Sequence, residues 1–389
     1  MKRTAGLGAL LALILSWAVI AGYAHRAEPG ERYAESARTF LFRYEVSVPP
    51  DQAAGDDAHL WIPVPQSDAH QTIRHMRIES AVKYGRGRDP MYGNSFAMFS
   101  PTAAQSMAGY AVAMTFEVTR QEYRVDVGAP AVVNASAQIP PHDRLLQRNL
   151  EPDKLVPLNA AISELAREHT AGASTPLEKA RDIFKYVAGT MHYDKSGEGW
   201  GRGDEMWACN SKRGNCTDFH SVLIGMLRSS HIPARFEIGF PLPEGKSEGS
   251  IPGYHCWAEF YLHRAGWIPV DASEASENPA KRDYFFGAVD VNRVMFTYGR
   301  DIRLSPEQKG EPLNYFIYPY AESKGESVKD LKTRYSFRDL TARQSSPEAE
   351  GGSTDLGTGW DRGRPDMIDS RIEDVLTIAW LASRAYSRI

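Results

Sequence analysis

Two stretches near the beginning of the chain alternate apolar and polar residues with a period of two. The apolar members of the first stretch are Phe40, Phe42, Tyr44, Val46 and Val48, and those of the second are Tyr110, Val112, Met114, Phe116 and Val118. This alternation predicts half-buried β-strands. Leu60 to Pro65 predicts a shorter strand, and the Gly- and Asn-containing stretch Lys83 to Ser95 predicts turns. We therefore expect an antiparallel β-sandwich over residues 35–135.

After Pro140 the apolar residues adopt helical spacing. Leu158 to His169 predicts one helix, and Thr175-Pro176-Leu177-Glu178 is a capping box with proline at the first helical position of the next. A third helix is predicted to begin at Cys216, because the apolar residues after it recur on one helix face. These residues are Phe219, Val222, Leu223, Met226 and Leu227.

Strands are predicted after this third helix, at 234–240, 256–262 and 267–271. Helices followed by strands indicate a second, α+β layer structure, over residues 150–325. The N-terminal sandwich has no constellation of residues that suggests chemistry, so we expect its role to be that of a scaffold. Candidate functional residues all lie in the second region.

Both ends of the chain differ from the body. Lys2 and Arg3 precede an uncharged apolar run from Thr4 to Ala24 that ends in small residues, which predicts a signal peptide or a membrane anchor over residues 1–24. Either reading predicts export, to the periplasm or the medium. Residues 344–366 are rich in Ser, Gly, Asp and Glu and are expected to be disordered. Residues 367–389 regain helical spacing and predict an amphipathic helix that packs on the body or on a partner.

Charge and cysteine content narrow the possible functions. The net charge of -4 argues against a nucleic-acid partner. Cys209, Cys216 and Cys256 are an odd number, which leaves at least one thiol free or bonded to another chain; Cys209 and Cys256 could pair. A zinc site is disfavoured because there is no CxxC pair and adjacent residues His255 and Cys256 point to opposite faces of a strand. We expect neither a metal nor another cofactor.

The most informative stretch runs from Arg213 to His220 and places Cys216 where the chain enters a helix. Unpaired backbone N–H groups and the helix dipole favour an anion at that point. Both effects lower a thiol pKa, and the thiolate is the nucleophilic form. The competing interpretation is a buried structural cysteine, which is common.

A predicted hairpin brings His255 and Asp271 toward the same end. His255 begins one strand, Arg264-Ala265-Gly266 forms the turn, and Asp271 ends the second strand. A carboxylate beside an imidazole fixes its tautomer and stabilises its charged form. Such an imidazole can hold a thiolate and later protonate a leaving amine. Without a nucleophile nearby, a structural histidine and an exposed aspartate would be the better interpretation.

Three motifs in this order resemble the transglutaminase-like superfamily. They are Gly-Asn-Cys-Thr-Asp-Phe-His from 214, His-Cys-Trp-Ala-Glu-Phe-Tyr from 255 and Gly-Trp-Ile-Pro-Val-Asp from 266, followed by Lys-Arg-Asp-Tyr-Phe-Phe-Gly from 281. The resemblance, over residues 155–320, implies a papain-like fold with Cys216 as nucleophile, His255 as base and Asp271 as the orienting carboxylate. The superfamily includes transglutaminases, proteases or amidases, and members without a known reaction.

Neighbouring residues compete for further roles. The backbone N–H of Cys216 is the natural first oxyanion donor, and Asn210 occupies the offset at which papain-like enzymes carry a glutamine donor. A loop cap is the competing role for Asn210. His220 lies one turn after Cys216 but is poorly aimed for a base. Asp218 is expected to complement the helix end, and Trp257 to form a cleft wall or pack in the core.

We weigh two functions. The first is cysteine-dependent acyl transfer on an amide bond of a protein or peptide through a thioester, with hydrolysis slightly favoured over cross-linking. The second is a non-catalytic scaffold that binds peptide or cell-envelope polymer. The presence of all three residue types of a triad favours the enzyme.

Overall fold

The computed structural model describes residues 36–50, 58–140 and 142–341. The predicted signal or anchor segment 1–24, the polar segment 344–366 and the C-terminal helix 367–389 lie outside these ranges. Within the described ranges, no helix has both the length and the apolar character that crossing a membrane requires.

The secondary-structure elements are labelled in chain order. The helices are α1 (Ala103–Ala108), α2 (Pro130–Val133), α3 (Arg144–Arg148), α4 (Ala160–His169), α5 (Pro176–Thr190), α6 (Glu205–Ser211), α7 (Cys216–Ser229) and α8 (Ala272–Glu277), with a 3-10 turn at Pro279–Lys281. The strands are β1 (Ala37–Val48), β2 (His59–Val64), β3 (Gln71–Ser80), β4 (Tyr84–Arg88), β5 (Ser95–Phe99), β6 (Tyr110–Gln121), β7 (Tyr123–Arg124), β8 (His192–Tyr193), β9 (Arg213–Gly214), β10 (Ala234–Pro241), β11 (Glu248–Ser250), β12 (His255–Leu262), β13 (Gly266–Val270), β14 (Ala288–Val289), β15 (Arg293–Tyr298), β16 (Tyr320–Ser323), β17 (Glu326–Ser327) and β18 (Lys332–Asp339).

Two five-stranded antiparallel sheets contain the N-terminal strands. Their orders are β11-β18-β1-β6-β3 and β17-β16-β2-β5-β4. The alternating apolar residues of β1 and β6 are buried, as the period of two predicts. Strands from beyond residue 320 complete both sheets, because β18 pairs with β1 and β16 pairs with β2. The division into domains at 35–135 and 150–325 remains a prediction. The pairing shows that strands after residue 319 also belong to the two N-terminal sheets.

The prediction of turns throughout Lys83 to Ser95 is wrong in part. The segment contains β4, which pairs with β5 from Tyr84↔Phe99 to Arg88↔Ser95. The sequence predicts no secondary-structure element where β3 lies. Both lie at sheet edges; β4 exposes four of its five residues, and β3 buries only one of its ten. An edge strand exposed in this way needs no alternation of apolar and polar residues, so its sequence resembles a loop.

A third antiparallel sheet, of order β13-β12-β10-β15, supports the helical part of the molecule. Helix α7 packs against β12 and β10 on one side and against α4, α5 and α6 on the other. Every residue from Cys216 to Arg228 is therefore buried. This arrangement confirms the predicted α+β class, with a helix-borne cysteine packed on an antiparallel sheet.

Candidate active site

The start of α7 is held by a buried capping box. The Asn215 side chain accepts a hydrogen bond from the Thr217 N–H at 3.0 Å, and an Asp218 carboxylate oxygen accepts one from the Asn215 N–H at 2.9 Å. Asp218 also accepts the N–H groups of Gly201 at 2.7 Å and Gly203 at 3.0 Å. The carboxylate predicted to complement the helix end thus also fastens the preceding glycine-rich loop to it.

Gly214 makes this close approach possible. Its φ of 145° lies in the region that favours glycine, and a Cβ there would stand 2.3 Å from an Asp218 carboxylate oxygen. A larger residue at 214 would push Asp218 away from the amides that it binds. The Gly-Asn pair before Cys216 therefore serves both the turn and the packing of the cap.

His255 and Asp271 meet as the hairpin predicts. Strands β12 and β13 pair in register from Ala258↔Val270 to Leu262↔Gly266. The Nε2 atom of His255 lies 2.7 Å from an Asp271 carboxylate oxygen. The other oxygen accepts the Ser273 hydroxyl at 3.0 Å and the Glu274 N–H at 3.1 Å, so Asp271 also caps α8. Because Asp271 binds the Nε2 atom of His255, the Nδ1 atom remains available to a thiol.

Arg293 is a member of this site that the sequence analysis missed. Its guanidinium lies 3.0 Å from the same Asp271 oxygen that binds His255, and the side chain is only 3% exposed. Burial would raise the pKa of Asp271, but His255 and Arg293 lower it below its usual range. The carboxylate is therefore ionised and can stabilise an imidazolium. No local pattern distinguishes an arginine in this position, because the contact is purely tertiary.

The Cys216 thiol and the His255 imidazole favour an ion pair. Burial alone would raise the pKa of Cys216, but hydrogen bonds with Cys256 and His255 and the charge of His255 lower it well below its usual value. Burial alone would lower the pKa of His255, but Asp271 and the Cys216 thiol raise it well above its usual value. The two opposite shifts describe a thiolate beside an imidazolium.

Both ring nitrogens of His220 are engaged elsewhere. Nδ1 lies 2.8 Å from the Cys216 carbonyl oxygen, to which it donates, and Nε2 accepts the Ala272 N–H at 3.1 Å. Burial, the largest influence, lowers the pKa of His220. The ring is therefore neutral and bridges the first turn of α7 to the residue after Asp271. These contacts leave no nitrogen free to deprotonate the thiol.

All three cysteines are free. The pairing of Cys209 with Cys256 that the sequence allowed is absent, because Cys256 is directed toward α7. Its sulfur lies 3.8 Å from the Thr217 hydroxyl and interacts with the Cys216 thiol. Burial and the neighbouring Cys216 raise the pKa of Cys256 well above its usual value, so it stays protonated and can donate to the thiolate.

The remaining predicted residues have the following positions. Asn210 is exposed on α6 and takes part in none of the hydrogen bonds described above. Trp257 is fully buried, donates its indole N–H to Glu237 and packs under the Arg293 guanidinium, so it belongs to the core behind the site. Among the described residues, no group of three or more His, Cys, Asp or Glu side chains could hold a metal ion.

The geometry combines a thiol, an imidazole and a carboxylate in a nearly enclosed place. Cys216 is 1% exposed and His255 is 7% exposed. The Tyr254 hydroxyl lies 2.7 Å from the Thr217 hydroxyl and accepts the Asn215 side-chain amide at 3.0 Å, beside the start of α7. This set of groups can form and break a covalent bond at sulfur with one proton carried by the imidazole.

Comparison with known proteins gives one family and several relatives. Residues 163–272 match the model of the transglutaminase-like superfamily. An uncharacterized protein of Haemophilus influenzae is 27% identical over 345 residues, which cover 78% of this chain and 90% of that protein. The matched family segment contains Cys216, His255 and Asp271.

A solved structure shares the fold. A Cytophaga hutchinsonii protein, provisionally described as a cysteine protease, superposes with a TM-score of 0.56 at 14% identity, over 84% of this chain and 95% of that one. The periplasmic domain of TgpA from Pseudomonas aeruginosa aligns over 64% of this chain and 91% of that domain at 16% identity, with a TM-score of 0.33.

Proposed function

Because residues 163–272 carry the core of the transglutaminase-like superfamily, we propose that the protein is a cysteine-dependent acyl-transfer enzyme acting on amide bonds. Cys216 is the nucleophile, His255 the base and acid, and Asp271 the carboxylate that orients His255. The observation that carries this proposal is the convergence of the three side chains: His255 lies 2.7 Å from Asp271 and forms a hydrogen bond with the Cys216 thiol, which lowers the pKa of Cys216 and raises that of His255. A structural cysteine packed as a small hydrophobe would have its pKa raised by burial instead.

In the first half of the reaction, the Cys216 thiolate attacks the carbonyl carbon of an amide. Negative charge develops on the carbonyl oxygen, and the backbone N–H of Cys216, which has no intrahelical acceptor at the first helical position, is a donor for it. His255 then gives its Nδ1 proton to the leaving nitrogen as the C–N bond breaks. A thioester on Cys216 and a free amine result.

In the second half, neutral His255 takes a proton from the incoming nucleophile. Water as the nucleophile gives net hydrolysis, whereas an amine gives a cross-link. In both cases the thioester bond breaks and the thiolate and imidazolium return. Asp271 holds the Nε2 proton of His255 throughout, and Arg293 keeps Asp271 ionised.

The fold supports a proposal for the substrate class. Proteins or peptides are the amide substrates that we propose, with hydrolysis slightly favoured because water is always available outside the cytoplasm. The apolar N-terminal run supports an exported enzyme that meets such substrates outside the cytoplasm.

Trapping the thioester tests the proposal. The purified protein is incubated with a peptide library, quenched in acid and examined by mass spectrometry. We expect an acyl adduct on Cys216 in the wild type, none in Cys216→Ala, and an unchanged adduct in Cys209→Ala, which removes another free thiol. Turnover that persists in Cys216→Ala would exclude the mechanism.

A further inference from the structure

A second polar cavity lies on the face of the third sheet opposite α7. Cys256 faces α7, so its strand neighbours Trp257 and Glu259 point the other way, in register with Glu237 and Arg235 of β10. The cavity measures about 350 Å³, and we call it the β10 cavity. Its lining residues are Asp68, Ala69, His70, Arg120, Tyr123, Val125, Arg235, Glu237, Glu259, Ala265, Trp267 and Tyr298.

Arg120 is the feature of this cavity that needs a partner. The side chain comes from β6, is 2% exposed, and has an Nε–H with no hydrogen-bond partner among the described residues. No carboxylate of the described chain lies within ion-pair distance of its guanidinium. A buried cation without a counterion is costly, because it loses the solvation that water would provide.

The neighbouring charges do not fill this role. Arg235 forms an ion pair with Glu259 and is stacked between the rings of Trp267 and Tyr298, 4.3 Å from each centroid. Glu237 accepts the Trp257 indole N–H and lies 3.4 Å from the Arg235 guanidinium, so its carboxyl group is engaged as well. Burial, followed by the charge of Glu259, raises the pKa of Glu237 well above its usual value. Within this group of buried side chains, Arg120 is therefore the cation without an ion-pair partner.

Asp68 is the remaining acidic residue of the cavity. It is exposed, and one of its carboxylate oxygens accepts the backbone N–H groups of His70 at 2.6 Å and Gln71 at 2.8 Å. Its charge reaches Arg120 only through space. Asp68 and Glu259 also repel a ligand that carries several negative charges, which favours a singly charged anion over a phosphate.

We propose that the β10 cavity binds a small carboxylate, which accepts hydrogen bonds from the Arg120 guanidinium. A planar carboxylate matches the fork of guanidinium donors, and such charge-assisted bonds are among the strongest in proteins. The aromatic rings of Tyr123, Trp267 and Tyr298 give the ligand's carbon skeleton an apolar wall. The carboxylate belongs either to a free organic acid or to the C-terminus of a peptide.

Benzoate is the first probe, with benzamide as its uncharged match. Both are titrated calorimetrically into the full-length protein at fixed ionic strength, and thermal unfolding is followed in parallel. Benzoate should bind saturably and raise the melting temperature, whereas benzamide should do neither. Arg120→Gln should weaken benzoate binding about tenfold or more, because it removes a charge-assisted hydrogen bond. Arg77→Gln, which removes an exposed arginine from β3, should leave binding unchanged.

Ala265→Phe keeps the proposal testable if Arg120→Gln fails to fold. Ala265 lines the cavity from the turn between β12 and β13, so a larger side chain would occlude it without replacing a charged residue. Benzoate binding should be lost in this variant. No saturable benzoate binding to the wild type, or binding that survives in both Ala265→Phe and a folded Arg120→Gln, would overturn the proposal.

The source of the carboxylate is resolved with the peptide Ala-Ala-Phe and its C-terminal amide. Both are tested in Cys216→Ala, so that turnover cannot consume them. Tighter, Arg120-dependent binding of the acid than of benzoate assigns the cavity to a peptide terminus. Equal binding of acid and amide alongside Arg120-dependent benzoate binding assigns it to a free organic acid. Neither result depends on the reaction proposed for Cys216.

Discussion

Helices α5 and α7 begin with the same kind of capping box but in different surroundings. At α5, the Thr175 hydroxyl accepts the Glu178 N–H at 3.2 Å, and Glu178 accepts the Thr175 N–H at 3.0 Å, in an exposed setting. At α7, Asp218 occupies the place of Glu178, is fully buried, and accepts amides from the preceding loop as well. The first position of α5 is a proline, whereas that of α7 is Cys216.

The comparison shows that a capping box marks where a helix begins but does not by itself make a reactive site. The capping box predicts where a helix begins in both cases, since the local hydrogen bonds are alike. Reactivity at α7 needs a nucleophile at the first position and a cationic partner brought by β12. It also needs burial, which strengthens the interaction between the two charges. The following predictions test these requirements, beginning with the largest effect.

Asp271→Asn should separate capping from catalysis. Asparagine caps helices as well as aspartate does, so α8 should still form. His255 would lose its anionic partner, and kcat should fall about 10⁴-fold, the scale seen when the orienting carboxylate of a Ser–His–Asp triad is replaced by asparagine. Asp143→Asn, at the cap of α3, should leave kcat unchanged. Comparable kcat losses in both variants would mean that charge at residue 271 is not what matters.

Asp218→Ala should cost far more stability than Glu178→Ala. Removal of Asp218 leaves three backbone amides without their acceptor in a buried place and should lower the free energy of unfolding by about 3 kcal/mol or more. Removal of Glu178 loses an exposed cap interaction worth about 0.5–1 kcal/mol. Urea unfolding of the full-length variants measures both values. Equal losses would contradict a loop-fastening role for Asp218.

The pH dependence of alkylation should distinguish Cys216 from Cys209. The Cys216 pKa is lowered, so its thiolate persists at mildly acidic pH and labelling should decline only as pH falls through that pKa. Burial and Glu205 raise the Cys209 pKa, so its labelling should keep increasing into alkaline pH. Site-resolved mass spectrometry after iodoacetamide pulses measures both profiles.

Cys256→Ala should move the acidic limb of the Cys216 profile to higher pH. The Cys256 thiol donates a hydrogen bond to the thiolate, and its loss favours the protonated form. His255 should still hold the thiolate at neutral pH, so labelling there should persist. An acidic limb that stays in place would show that the Cys256 hydrogen bond does not contribute.

Thr175→Ala should have the smallest effect. It removes the exposed cap of α5 and should lower the free energy of unfolding by about 1 kcal/mol. The pH profile of Cys216 alkylation should match that of the wild type, because the side chains that shift the Cys216 pKa, Cys256, His255 and His220, lie on β12 and α7. A shifted profile would mean that the two helix starts are coupled.

Local sequence patterns predicted much of the fold, whereas contacts between residues far apart in the chain could not be predicted from them. The start of α7 at Cys216 and the hairpin that joins His255 to Asp271 follow from spacing and turns within short segments. Arg293 lies 22 residues beyond Asp271 and reaches it through tertiary packing alone. The same holds for His220, whose second partner is the Ala272 amide. Neither has a sequence signal that a single chain reveals.

The late strands of the first two sheets have a consequence for the order of synthesis. Strand β1 lies between β6 and β18, and β2 lies between β5 and β16. A ribosome therefore makes Cys216, His255 and Asp271 before it makes the last partners of the two N-terminal sheets. Until residue 339 has emerged, β1 offers an unpaired edge to any other extended chain. A nascent chain stalled between β15 and β16 would carry every residue of the proposed triad and still be prone to aggregate.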